Sequence, residues 1–124
     1  MAQRHWRIVL AVVMLAGLLM AVRPLTHRFE PETLFPQADK VAHVAFFVML
    51  WLLALRAGFT SAWQLGLGLL GYGACIEIAQ AVLPTHRSAS LTDVAADATG
   101  IALAWWITRR AGSGSGRQPE EHRG

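Results

Sequence analysis

The sequence predicts an all-α bundle of four transmembrane helices, and three observations carry that prediction. Of 124 residues, 54% are hydrophobic and only 15% charged, more apolar matter than a soluble domain of this size can hide. The apolar residues fall into four blocks rather than being scattered. Every proline, and every charged residue except Glu77 and Asp97, lies outside those blocks. A mean hydropathy of +0.38 excludes disorder for most of the chain, and the length allows one domain. The lone Cys75 can form neither an internal disulfide nor a cysteine-based metal site.

Crossing a hydrocarbon core of ~30 Å takes ~20 predominantly apolar residues in a helix, and each block reaches that length by recruiting amphipathic flanks. The first helix is expected over about 6–23, where Ile8–Val22 is uncharged and Trp6 flanks it. Arg4 and Arg7 ahead of this run also suit a secretory signal peptide. Leu18–Arg23 lacks a small-x-small cleavage pattern, which favours a retained anchor; cleavage leaves three helices. Arg23–Asp39 holds Pro24, Pro31 and Pro36 and reads as an irregular loop. The second helix, about 40–57, contains Val41–Leu55 with His43 inside it, and a short turn around Gly58 follows. The third, about 61–83, carries Glu77 and Gln80 near its end, and Pro84–Ser90 is polar. The fourth, about 91–109, holds Asp93 and Asp97. The transmembrane domain is thus 1–110, and 111–124 is a Gly/Ser/charged tail expected to be disordered and cytoplasmic.

Orientation follows from the basic residues. With the N-terminus inside, Arg4, Arg7, Arg56, Arg109, Arg110, Arg117 and Arg123 are cytoplasmic, and Arg23, Arg28, Lys40 and Arg87 lie outside. Seven against four predicts both termini on the cytoplasmic side of a bacterial inner membrane. The net charge of +3 therefore reflects orientation and anionic headgroups, and no nucleic-acid partner is expected. Gly66-x-Gly68-x-x-Gly71 spells a dinucleotide fingerprint, but it lies inside an apolar helix and follows no strand. It is rejected.

In this topology the polar residues converge on the outer surface. Asp39, Lys40 and His43 begin the second helix, Glu77 and Gln80 end the third, and Asp93 and Asp97 open the fourth. Glu77 lies ~9 Å below Leu83, and Asp97 ~6 Å deeper than Asp93. Asp39 and His43, Asp93 and Asp97, and Glu77 and Gln80 each share a helix face. Gly100 continues the Asp93 face, where a small residue lets a neighbour approach, and Gly66 and Gly73 can serve the third helix in the same way. Four carboxylates face two fixed cations, Lys40 and Arg87, in this layer. The surplus calls for protonation, hydration, a metal ion or a cationic ligand.

Each candidate has two readings. Glu77 is a general base or acid, or an ion-pair partner of Arg87 or Lys40 that locks helices together. Asp93 is a second catalytic candidate, or a first-turn acid that needs no ligand. Asp93 and Asp97 with His43 have metal-binding chemistry, but no helix supplies a firm ligand pair, so neither a metal nor another cofactor is expected. Arg87 grips a phosphate or carboxylate, or pairs internally. Ser88 and Ser90 suit turns and caps.

The order Asp39-Lys40-x-x-His43, Glu77-x-x-Gln80 and Arg87-Ser88-x-Ser90-Leu91-x-Asp93, with Asp97 four residues on and Gly100 three after that, resembles the VanZ-like proteins. The resemblance covers about residues 39–104, plus the preceding anchor by position. It implies a small multi-helix protein of the bacterial cell envelope, in a family named for a member linked to low-level resistance to the glycopeptide teicoplanin. One departure is Asp97, a position often occupied by Asn in the family. Three functional readings follow. An outward-facing pocket lined by Asp39, Lys40, His43, Glu77, Gln80, Arg87, Asp93 and Asp97 recognises a lipid-linked or cell-surface ligand in contact with membrane lipid. Alternatively the protein is an enzyme on lipid-linked or cell-wall substrates, or a scaffold whose polar layer is interhelical glue.

Overall fold

The computed structural model describes residues 2–22, 38–83 and 90–113. Within them the chain forms four helices and no strand: α1 (Ala2–Val22), α2 (Ala38–Arg56), α3 (Ala62–Val82) and α4 (Leu91–Ser113). The tail beyond residue 113 and the segments 23–37 and 84–89, with Arg87 and Ser88, lie outside the described residues.

The bundle is sorted inside out. Leu15, Leu19, Met20, Ile78, Val82 and Trp63 are exposed, while Glu77, Gln80, Asp93 and Asp97 are buried. That sorting suits a hydrocarbon surround, in which polar side chains must find partners within the protein. Helices α1, α2 and α3 are each long and apolar enough to cross a membrane. Helix α4 is long enough but more polar, with Asp93 and Asp97 in its first two turns and Arg109 and Arg110 in its last two. It continues through Ser113, beyond the expected end near 109, with the strong helix formers Arg110 and Ala111 carrying it past that point.

The tightest pairing is α2 with α4, and the two helices run parallel. Lys40 meets Asp93, His43 meets Asp97, and Trp51 Nε1–H donates to Thr108 Oγ1 at 3.2 Å, so the register persists along both helices. Gly100 makes this possible. A Cβ there would lie 2.6 Å from the Val44 carbonyl oxygen and 3.0 Å from Phe47 Cβ. Phe47, Leu50, Trp51 and Ala104 form the core around that contact, joined by Leu65 and Leu69 from α3 and Leu10 from α1.

The α2–α3 turn follows from Gly58, whose φ of 93° is costly for any residue with a Cβ. Phe59 N–H reaches Ala54 O and Gly58 N–H reaches Leu55 O, which satisfies the last carbonyls of α2. Ser61 then caps α3, its Oγ accepting from Gln64 N–H. Hydrogen bonds fasten helix α1 along its length. Arg7 Nε donates to Ala57 O at 3.1 Å, Tyr72 OH to Met14 O at 2.6 Å, and Gln80 Nε2 to Ala21 O at 3.1 Å. They tie α1 to the turn after α2 at the basic end and to α3 at mid-bundle and at the acidic end.

Candidate functional site

Five of the residues singled out in the sequence meet where α2 and α4 begin. Asp39 and His43 share one face of α2 with Lys40 beside them, and Asp93 and Asp97 share the facing side of α4. Lys40 Nζ donates to Asp93 Oδ1 and lies 3.5 Å from Asp39 Oδ2. One turn deeper, His43 Nδ1–H donates to Asp97 Oδ1 at 2.7 Å. The other ring nitrogen, Nε2, lies 4.0 Å from Asp39 Oδ1. The ladder grades with depth: the Lys40 side chain is 37% exposed, that of Asp97 only 2%. Asp97 packs directly onto α3, where a Cβ on Gly73 would lie 2.7 Å from Asp97 Oδ2. Gly73 is thus the seat of the deepest carboxylate.

Glu77 and Gln80 do different work. Glu77 Oε2 accepts from Ser90 N–H at 2.8 Å, just ahead of α4, where a negative charge complements the helix dipole. Its Oε1 is buried with no hydrogen-bond partner among the described residues. Lys40, one of the two cations considered for Glu77, is held by Asp93 and Asp39 instead. Gln80 holds the end of α1 and lines a cavity of about 250 Å³ together with Asp39 and His43. Apolar residues make up the rest of its walls, among them Gly17, Met20 and Ala21 of α1, Phe46 and Phe47 of α2 and Ile76 of α3, so three helices contribute to it. Asp93, Asp97 and Glu77 stand behind that cavity rather than in its lining.

Two kinds of chemistry are available to these groups. Asp39, His43 and Asp93 each offer a ligand atom within 4.8 Å of the others. This trio differs from His43, Asp93 and Asp97, because the Asp97 oxygen is already committed to His43 Nδ1. A divalent ion would also have to displace the Lys40 ammonium from Asp93. The other possibility is proton transfer. A buried carboxylate on Nδ1 fixes the imidazole and leaves Nε2 to accept a proton at the cavity. That role for His43 was not legible in the sequence; the i, i+4 spacings on α2 and α4 were visible, but not the register that joins them. Tyr72 was missed as well, and its one signal is a hydroxyl in the apolar part of its block, ahead of Glu77 and Gln80.

No curated protein and no solved structure matches the chain. A family model described as VanZ/LLP1 matches residues 3–112, from the second residue of α1 to the penultimate residue of α4. With that match over all four helices, the chain belongs to the VanZ/LLP1 family.

Proposed function

We propose that this VanZ-family protein crosses the bacterial inner membrane four times and recognises a lipid-linked or cell-surface ligand at its outward, acidic end. The cavity shared by Asp39, His43 and Gln80 is the observation that carries the reading, because it sets three polar side chains in a wall that is otherwise apolar. Two features support the topology. Arg4, Arg7, Arg56, Arg109 and Arg110 lie at one end of the bundle with no acidic residue beside them among the described residues, as a cytoplasmic face requires. Helix α4 keeps pace with α2 from Asp93 to Thr108, so whatever layer α2 crosses, α4 crosses too.

The ligand this wall suits brings hydroxyl or amine donors, as a sugar or amino-sugar headgroup does. Altered handling of such a headgroup is the proposed link to glycopeptide resistance. The test is teicoplanin susceptibility of a bacterial host expressing the chain, with its membrane level followed by immunoblot. Asp39→Asn is the informative variant, since Asp39 borders the cavity and is a third exposed. Protection by the native chain and its loss in Asp39→Asn at an unchanged membrane level is the expected result. Protection that survives Asp39→Asn and Gln80→Ala overturns the pocket, and absence of protection by the native chain overturns the glycopeptide link. A C-terminal alkaline phosphatase fusion that is active contradicts the orientation.

A second reading rests on the His43–Asp97 pair: an enzyme in which Nε2 takes a proton from a substrate hydroxyl or water. It requires that His43→Gln abolish turnover while ligand retention persists. Equal loss of both returns the site to binding.

A further inference from the structure

Helices α3 and α4 touch closely near the acidic end and part toward the other. A Cβ on Gly73 would press on Asp97, whereas one on Gly66, two turns away on the same face, meets nothing nearer than Ile101 at 3.9 Å. The gap is a cleft of about 410 Å³, floored by Trp51 and Gly66 and walled by Trp63, Leu67, Ile101 and Trp105. Every residue lining it is apolar, and it opens sideways, with Trp63 75% and Leu67 53% exposed. From Trp63 to Leu70 it runs about 10 Å along α3, a third of the hydrocarbon core. Its basic-end wall is Trp105, and the exposed Arg109 guanidinium stands 5.0 Å from that ring.

We propose that this cleft seats an acyl chain of an anionic phospholipid, with the lipid phosphate on Arg109. The chain supplies apolar matter at a depth where only apolar matter is stable, and a guanidinium is well matched to a phosphate. The charge of the end confirms the choice of headgroup: five arginines and no acid among the described residues attract an anion. A second copy of the chain is the poorer occupant. Inserted in the same membrane with the same orientation, it brings its own five arginines to the same level. The site lies at the opposite end from the Asp39–His43 cavity and stands or falls apart from it.

Native mass spectrometry of the full chain in mild micelles tests the proposal, with phosphatidylglycerol and phosphatidylcholine of identical acyl chains as probes. Phosphatidylglycerol is expected to be retained about fivefold over phosphatidylcholine, the ratio one basic side chain is worth at an anionic surface. Arg109→Gln removes that preference, lowering phosphatidylglycerol retention more than that of phosphatidylcholine, whose phosphate is offset by its own ammonium. Gly66→Leu, which fills the cleft from its floor, lowers retention of both lipids at unaltered helix content. Arg110→Gln, whose guanidinium stands over Trp106 outside the cleft, keeps the preference. Equal retention of the two lipids overturns the proposal. So does a preference that survives Arg109→Gln or is lost equally in Arg110→Gln, and so does a dimer in place of the lipid adduct.

Discussion

Substituting Gly100 by Ala adds one methyl group at the point where α2 and α4 are closest. The new Cβ would lie 2.6 Å from Val44 O, 3.1 Å from Val44 Cα and 3.0 Å from Phe47 Cβ. Two of those atoms are backbone, so no rotamer change relieves the contact and the helices must separate. Overpacking of this kind costs about 1–3 kcal/mol, and backbone contact places Gly100 in the upper half of that range. Alanine returns about 1 kcal/mol through its better helix propensity. The net loss is about 1–2 kcal/mol, and Gly100→Leu should prevent the pairing altogether. Gly68→Ala is the control, because nothing lies within 4 Å of its added Cβ; it should be neutral or stabilising by up to about 1 kcal/mol. Equilibrium unfolding in mixed micelles, followed by far-UV circular dichroism, reads the difference. Gly100→Ala as stable as the native chain, or no worse than Gly68→Ala, refutes the close approach on which the His43–Asp97 register depends.

Two further outcomes follow from the polar layer. A double-mutant cycle on Lys40→Met and Asp93→Leu should give a coupling of about 0.6 kcal/mol, and no more than about 1.7 kcal/mol, because polar contacts in membrane proteins compete with alternative partners in the unfolded reference state; zero coupling in the same unfolding assay removes the ion pair. Glu77→Ala should strip the Ser90 N–H of its acceptor and cost about 1–3 kcal/mol, with faster amide exchange in the first turn of α4, whereas Glu77→Gln keeps an oxygen there and should restore most of the protection.

The fold class was legible because hydrocarbon imposes a coarse rule, with long apolar blocks separated by polar connectors, and α1, α2 and α3 follow it, while α4 is long enough but more polar. The faces were legible too. Asp39 with His43, and Asp93 with Asp97, are four residues apart, and helix geometry puts each pair on one side. The choice of partner was not legible. Lys40 lies within reach of several carboxylates in the sequence, and only the parallel register of α2 on α4 gives it Asp93 and Asp39 rather than Glu77. The same register gives His43 to Asp97 and leaves Asp39 in the metal-capable trio. Interhelical register depends on which side chains interlock across a contact, and local periodicity does not encode it. Gly66 and Gly73 illustrate the limit. They share a face and a residue type, yet one faces an open cleft and the other receives a carboxylate, because α3 and α4 splay between them.

Charge explains why the two ends of this bundle invite different groups. At the acidic end four carboxylates, Asp39, Glu77, Asp93 and Asp97, stand against one ammonium and one imidazole among the described residues. The ammonium is shared by Asp93 and Asp39, and the imidazole is engaged by Asp97, so neither is held in reserve for an incoming anion. A phosphate entering the Asp39–His43 cavity would have to break those contacts in a medium of low dielectric, where an unpaired carboxylate is most costly. Hydroxyl and amine donors meet no such barrier, because Asp39 and the free face of His43 accept without surrendering a partner. At the opposite end Arg56 leans on Trp6 and Arg109 on Trp105, with no carboxylate beside either among the described residues, so their charge stays available at the lipid surface. The sign of the charge left uncommitted at each end therefore decides what that end can hold.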